Sequence, residues 1–442
     1  MGAGGSIRSL GCLQPTFEVW GGAEWFIHEV LGALAGRGIA STLYTHRWSD
    51  PPGEAGGRGA AAYGVVCHRR GGVRSGPWDW EAIARRLAPS WAGHDVLFVH
   101  NHPAALWCRH APRRAALPPA VWYCHEPPAA LYGAGDGGAE DPPDPAERIS
   151  PARLVRALGF YGGRSLPWLA GRLRERWAVA RAGREAWLEE LRRRDREAIS
   201  RVDVILANSR HTASRVRAIY GREAAVVHPV PADLASFRPA GGAAKRPVVL
   251  WVGRMTGAKR PLKMVDAWAR ALRLEPALRS WKLVLVGEGP LARRALEAAG
   301  EAGADGSVEA RSRLSRAALA ALYGEAALLV HLARGEPFGL VPLEAMAAGT
   351  AVLAEGGGGV RETIVEGRTG WCVDGLEVDE LARRLARLPS ERAALESMGR
   401  AAAEHVHATF RFESVLASLL EVLETCARRG AQPATAGAGS PK

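Results

Sequence analysis

Short apolar, β-branched runs recur along this chain with helix-like patterns between them, and no other feature of the sequence restricts the fold as strongly. The runs are Asp95–Val99, Ala120–Tyr123, Val202–Ala207, Ala225–His228, Val248–Val252, Lys282–Val286, Ala326–His331 and Ala351–Ala354. Segments such as Ala23–Leu34, Pro261–Leu272, Leu291–Ala299, Ala317–Tyr323 and Leu343–Ala348 carry apolar residues at helical spacing. Strands that are apolar on both faces must be covered on both faces, so the alternation predicts an α/β chain with parallel sheets. The run at 202–207 ends in Asn208 and Ser209, whose short polar side chains suit the cap of a following helix.

The clearest break is the stretch 229–247, which holds four prolines and the pair Gly241-Gly242. It divides the 442 residues into halves that each contain several βα units, in keeping with about 150 residues per domain as a starting expectation. Two Rossmann-like domains facing a cleft are expected, with ligands outside the carboxyl ends of the strands. No apolar run approaches the roughly 18 residues of a membrane span, and the start MGAGGSIRSL lacks the pattern of a secretory signal. The expected location is the cytoplasm. Six cysteines without a C-x-x-C pair spell neither a zinc site nor a disulfide framework.

Lys and Arg number 58 against 46 Asp and Glu, a net charge of +12. Such an excess suits nucleic acid, an anionic membrane surface or a phosphorylated substrate, although the abundance of Arg, Ala and Gly also fits a bland origin in genome base composition. Residues 164–217 carry fourteen arginines against seven acids. Leu166, Leu169, Leu173, Trp177, Ala180, Trp187 and Leu191 recur there at helical intervals, so a basic amphipathic helix is expected. It either packs on its own domain or touches a membrane or partner. Apart from Trp177 and Trp187, which fit the helix stripe, the densest run of arginines lacks the interleaved aromatics of a nucleic-acid surface. Nucleic acid is therefore not an expected partner. Residues 133–151, rich in Gly, Pro and Asp, read as a mobile loop, and 428–442 as a disordered tail.

The chemistry concentrates in RGEPFGLVPLEAMAAG at 334–349. Glu336 stands in a loop after a buried run, Glu344 on the following helix, and Gly349 closes that helix. Free amides of the first turn, at about Phe338, Gly339 and Leu340, can receive an anion such as a diphosphate. Two carboxylates bracket that place, and carboxylates accept hydrogen bonds from hydroxyl-rich partners: a sugar beside Glu336 and a ribose beside Glu344. Arg254 and Lys259, just after the first strand of the second half, can converge on phosphate oxygens. Positive charge and amide dipoles there would neutralise a diphosphate as its bond to a sugar breaks. The neighbours His100, Asn101 and His102 lack a third ligand at metal spacing, and no metal site is expected.

GGAE at 21–24, WYCHEPP around His125, ANSRHT at 207–212, VVHPVP at 226–231, GRMTGAKRP at 253–261, EPFGLVPLE at 336–344 and GGGGVRET at 356–363 together resemble the retaining GT-B glycosyltransferases of family four. The resemblance covers nearly the whole chain. It implies an acceptor-side domain over 1–235 with a basic helical insertion at about 150–200, and a nucleotide-sugar-binding domain over 245–405. A C-terminal helix at 406–427 would return to the first domain. It further implies that Glu336 holds hydroxyls of the donor sugar and Glu344 the ribose, and that Arg254 and Lys259 grip the diphosphate. His125 would contact the sugar near the reaction centre, and the backbone at Gly21 and Gly22 would approach phosphate and acceptor. The implied reaction moves a sugar, mannose from GDP-mannose by the likeness of YCHEPP to mannosyltransferase segments, or a sugar from UDP, to a glycan or lipid-linked acceptor. It proceeds with retention, without a metal or other cofactor, and admits contact with the inner face of the membrane. A hydrolase or epimerase acting on the same donor would share these residues. Two segments depart from the family pattern: the first strand, SIRSLGCLQP at 6–15, is less apolar than expected, and RSRLSR at 311–316 replaces an apolar strand end and glycine turn.

Overall fold

A computed structural model describes residues 7–17, 20–49, 62–67, 80–111, 117–133, 183–239, 245–312 and 314–431. The expected loop at 134–151, the part of the basic stretch from 150 to 182 and the tail beyond 431 lie outside the described residues.

The strands in chain order are β1 (Ser9–Leu13), β2 (Thr16–Phe17), β3 (Ala40–Thr45), β4 (Arg47–Trp48), β5 (Gly64–Cys67), β6 (Val96–His100), β7 (Ala120–Cys124), β8 (Val204–Ala207) and β9 (Ala225–Val226) in the first half. In the second they are β10 (Arg246–Val252), β11 (Lys282–Val286), β12 (Val308–Arg311), β13 (Ala326–His331), β14 (Ala351–Glu355) and β15 (Gly370–Val373). Two parallel sheets form, ordered β5-β3-β1-β6-β7-β8-β9 and β12-β11-β10-β13-β14-β15, while β2 and β4 pair separately. Both begin from their first strand, grow outward by two strands and then reverse, which is the doubly wound α/β arrangement. Each sheet is covered on both faces, because alternate residues of one strand enter different cores. Val249 and Trp251 of β10 pack with Leu283 and Leu285, whereas Leu250 packs with Val284, Val286 and Leu329.

The weakly apolar β1 is nonetheless central. Leu10, Cys12 and Leu13 are fully buried, and a Cβ at Gly11 would lie 2.8 Å from the ring of His94. Its polar start is held by Asp95, which accepts hydrogen bonds from the amides of Arg8 at 2.7 Å and Ser9 at 2.9 Å. The strands without a long apolar run are the ones the pattern does not reveal. β3 carries Ser41 and Thr42, and β12 is an edge strand whose sequence VEAR leaves one face to water.

Several boundaries differ from the sequence expectation. Pro247 lies inside β10 and not in the break before it; the pairing of β10 with β13 shifts register between Arg246 and Val249, where the missing amide costs least. The C-terminal segment is two helices, Arg392–Thr409 and Phe412–Ala431, so residues 406–409 finish the first and Arg428–Ala431 are helical. In the last helix Leu416, Leu419, Leu423 and Cys426 repeat at helical spacing, and they enter the core beside Leu10, Phe98 and Val121 of the first sheet. Burial of leucines of this kind contributes about 1.5–3 kcal/mol each, so the end of the chain is bound to its beginning.

Of the basic stretch, Arg184–Ile199 is a helix. Its Leu188, Ala198 and Ile199 are buried, and four of its arginines are paired within the helix: Arg192 with Glu185, Arg193 and Arg194 with Glu190, and Arg196 with Glu189. For these residues the structure shows a packed helix whose charges are compensated along its own surface. No helix among the described residues is long and apolar enough to cross a membrane.

Candidate active site

The order of both sheets reverses beside their first strand, between β1 and β6 and between β10 and β13. The loops after these four strands carry most of the residues singled out above. After β10 a single helical turn, Gly257–Lys259, presents Lys259, whose backbone carbonyl accepts a hydrogen bond from Trp251 Nε1 at 3.2 Å. After β13 the loop presents Glu336. The two side chains meet: Lys259 Nζ lies 2.5 Å from Glu336 Oε2, and His331 Nε2 lies 3.2 Å from the same oxygen. Burial alone would push the Glu336 carboxyl up, but the Lys259 ammonium and the His331 contact overcome it and hold the group well below the ordinary carboxylate range. Lys259 and Glu336, expected to hold different parts of one ligand, are thus paired with each other. Arg254 does not join them; it is exposed and bonds to no described side chain, although its charge is felt at Glu24.

Gly339, at φ 97°, starts the helix Leu340–Ala347 in a conformation that suits glycine. The Phe338 side chain is buried and stacks on His228, with ring centroids 5.0 Å apart, so it belongs to the core and only its backbone can serve a ligand. Leu340 reaches the first half: a Cβ on Gly22 would sit 2.6 Å from its Cδ1. Gly21 caps the helix Gly22–Ala35, and Glu24 Oε2 accepts its amide hydrogen bond at 3.0 Å. The glycines therefore let this turn approach the start of the opposing helix.

A cleft of about 770 Å3 opens beside this contact, walled by Trp25 and Glu29 from the first half and by Arg316, Leu340 and Glu344 from the second. Glu344 is buried, accepts from Arg316 Nη1 at 2.6 Å and from the Tyr323 hydroxyl at 3.4 Å, and is pushed above the ordinary range by burial despite Arg316. Arg316 also forks onto Asp233 in the segment joining the halves, at 2.9 Å and 2.5 Å. Asp233 and Glu344 add their repulsion to the burial of Glu29, whose carboxyl is raised to about 7.

His125 follows β7. Its Nε2 lies 3.1 Å from His100 Nδ1, its carbonyl accepts from Asn208 Nδ2 at 2.7 Å, and burial lowers its pKa to about 3. The next residue, Glu126, is raised by burial and feels both Glu336 and Lys259, which sets the end of β7 opposite the loop after β13. His100, Asn101 and His102 go three ways, to His125, Gln14 and Asp195. Among the described residues no group of three or more His, Cys, Asp or Glu could hold a metal ion.

The glycine-rich turn serves first as an interface between the halves. A Cβ at Gly359 would lie 2.9 Å from Ser209 Cβ of the first half and 2.0 Å from the Pro337 carbonyl oxygen of its own, and its amide donates to the Glu336 carbonyl at 2.8 Å. Glu362 then accepts from the amides of Arg210 and His211, each at 3.0 Å, and lies 3.2 Å from His228 Nε2. A carboxylate of the second half thereby caps the helix Arg210–Tyr220 of the first, and these contacts hold it below its ordinary range against the cost of burial.

Glu29, His100, Glu126, Asp233, Arg316 and Glu362 were not among the expected site residues. Glu126 adjoins His125 in CHEPP and Glu362 lies in the glycine-rich segment, so sequence proximity carried a signal for these two. Asp233 sits among linker prolines and Glu29 on an ordinary helix, where no spacing marks them.

Two doubly wound sheets in one chain, with charged and glycine-bearing loops facing each other at their points of reversal, define a GT-B glycosyltransferase. The Glycosyltransferase Family 4 model matches residues 20–234 and the model Glycosyl transferases group 1 matches 235–405. A D-inositol 3-phosphate glycosyltransferase of Kribbella flavida is 30% identical over 59% of this chain and 70% of its own length. One of Nocardia farcinica is 33% identical over 51% of this chain and 53% of its own, so the match spans about half of that relative. A GDP-mannose-dependent α-(1-6)-phosphatidylinositol monomannoside mannosyltransferase of Mycobacterium tuberculosis is 28% identical over 91% of this chain and 94% of its own. The fold is that of sucrose-phosphate synthase from Thermosynechococcus elongatus (TM-score 0.69, 17% identity, 96% and 100% coverage). It is equally that of Anabaena HepE, solved with UDP and glucose (0.63, 18%, 95% and 100%). The chain belongs to glycosyltransferase family 4.

Proposed function

We propose that this glycosyltransferase moves a sugar from a nucleoside diphosphate donor, GDP-mannose or a UDP-sugar, to a glycan or lipid-linked acceptor with retention at the anomeric carbon. The observation that carries the reading is the pair Lys259–Glu336 beside the start of the helix Leu340–Ala347, opposite Gly21 and Gly22. The donor diphosphate sits on the amides of Gly339 and Leu340 with Lys259 and Arg254 on its oxygens, and Lys259 exchanges Glu336 for phosphate. Glu336, released from the ammonium, accepts hydroxyls of the sugar. Glu344 accepts from the ribose while retaining Arg316.

As the glycosidic bond to diphosphate breaks, negative charge gathers on the leaving oxygen, where fixed cations and amide dipoles stabilise it without reorganising. The acceptor hydroxyl attacks from the face that diphosphate leaves, and a diphosphate oxygen takes its proton. No carboxylate base is then required, unlike a glycosidase with its two carboxyls on the reacting bond. His125 contributes a polar contact to the sugar and, with its lowered pKa, stays neutral at pH 7. Activity proceeds without an added metal or cofactor. A lipid-linked acceptor, of the class that the name of the mycobacterial relative gives for that protein, would bring the enzyme from the cytoplasm to the inner face of the membrane.

A donor panel of GDP- and UDP-sugars, followed by anomeric assignment of the product by proton NMR, tests the reading. One donor supporting transfer with an α-linked product from an α-linked donor, undiminished by EDTA, is expected. Inversion, or full-rate consumption of donor without acceptor, overturns it; the second result indicates a hydrolase.

A further inference from the structure

We infer that His100 is a positioning residue that fixes the tautomer of His125, leaving the proton on His125 Nδ1 so that this ring meets the donor sugar as a hydrogen-bond donor. The inference rests on the proposed contact between His125 and the sugar. His100 ends β6 and His125 follows the neighbouring strand β7, so the parallel pairing of the two strands brings the rings together at the carboxyl edge of the first sheet. Their centroids are 5.3 Å apart, and His100 Nδ1 lies 3.1 Å from His125 Nε2. His100 has no solvent exposure, and its Nε2 is buried without a hydrogen-bond partner.

Burial lowers the pKa of both rings, so both are neutral near pH 7, and one proton lies between Nδ1 and Nε2. Two arrangements satisfy that contact. If His125 donates, His100 must carry its own proton on Nε2, where it is an orphaned N–H in the protein interior. If His100 donates, its Nε2 is a bare ring nitrogen and no buried donor is stranded, since His125 Nδ1 is not a buried, unpartnered atom. Orphaned buried donors are the rarer fault, and the cost of one, about 1–3 kcal/mol, outweighs the mild preference of free imidazole for protonation at Nε2. His100 Nδ1–H therefore donates to His125 Nε2, and the His125 proton goes to Nδ1, which no described residue bonds. A ring protonated there can donate to a sugar oxygen and cannot accept a proton from an attacking hydroxyl. The rest of the ring's surroundings fixes its orientation: Phe26 lies edge-on at 6.1 Å, Tyr123 is tilted against it at 4.7 Å, and the His125 carbonyl is held by Asn208.

The experiment is ring-15N NMR of the full chain labelled at histidine, with His125→Gln used to assign the His125 signals, beside steady-state kinetics with the donor found active. In the wild-type protein His125 is expected to show a protonated Nδ1 and a bare Nε2. His100→Asn, whose amide can still donate at the Nδ1 position, keeps that pattern and most of kcat. His100→Phe loses it, and kcat falls about tenfold with the donor KM unchanged, the equivalent of one misdirected hydrogen bond. A wild-type His125 protonated at Nε2 overturns the inference whatever the variants do, as does an unchanged His125 pattern in folded His100→Phe. If the tautomer is as stated but His125→Gln leaves kcat intact, the inference about His100 stands and the proposed contact of His125 with the sugar fails.

Discussion

Lys259→Met and Glu336→Gln should have opposite effects on the binding of a nucleoside diphosphate that carries no sugar. In the structure the two groups neutralise each other at 2.5 Å, with 26% and 16% of their side chains exposed. Removing Lys259 takes one charge-assisted contact from the diphosphate, worth about 1.5–3 kcal/mol, and leaves Glu336 as an unpaired anion beside it. At about 1.4 kcal/mol per tenfold change, Kd rises by roughly 10- to 100-fold. Removing the Glu336 charge frees Lys259 before the ligand arrives, so the diphosphate binds as tightly as before or more tightly, while transfer of the sugar slows because its hydroxyls lose their acceptor. The pair lies between exposed and buried ion pairs, for which disruption costs about 0–1 and about 3–5 kcal/mol, so each variant retains its fold. Isothermal titration with GDP and UDP, and turnover with the corresponding sugar donors, read both effects. Equal loss of nucleotide binding in the two variants would mean that the pair only braces the loops, and the assignment of Lys259 to phosphate would fall.

Further outcomes follow from the same contacts. Glu29 has a folded pKa of about 7 against an ordinary 4.5, so the folded state binds more protons than the unfolded between these values and stability declines as pH rises through that window. The decline amounts to at most about 3 kcal/mol, and Glu29→Gln should raise Tm at pH 8 but not at pH 5. Glu362 is depressed instead; its contribution is complete above the ordinary carboxylate range and is lost as pH falls through the folded value. Glu362→Gln should cost about 1–2 kcal/mol at neutral pH and progressively less in acid, measured by urea denaturation. Gly359→Ala places a methyl against the Pro337 carbonyl and should lower both Tm and turnover, whereas Gly367→Ser, at φ 71° but with nothing within 4 Å, should lower Tm only slightly.

The sequence reading succeeded where a single physical demand dominated. Strands such as Ala326–His331, buried on both faces, must be apolar throughout, and β13 matches that run residue for residue. β3 and β12 escaped because one depends on Ser and Thr and the other on solvent at an edge. The same contrast separates the site residues. Glu336 and Glu344 stood out because a glycine- and proline-bounded loop and one helix place them at a fixed spacing, but their pairings did not: Lys259, itself noted for phosphate, faces Glu336 across 77 residues, and Arg316 reaches both Glu344 and Asp233. Such contacts depend on how loops of different strands meet. The RSRLSR segment, noticed only as a departure from the family pattern, supplies that arginine.

The cap of the helix Arg210–Tyr220 has a mechanical corollary. Its first amides are satisfied by Glu362 from the other lobe, so any rotation that parts the lobes must either carry this corner along as the pivot or hand two amide protons to water. The axis of least resistance therefore runs beside Glu362 and the Phe338–His228 stack, where both contacts survive a rotation about them.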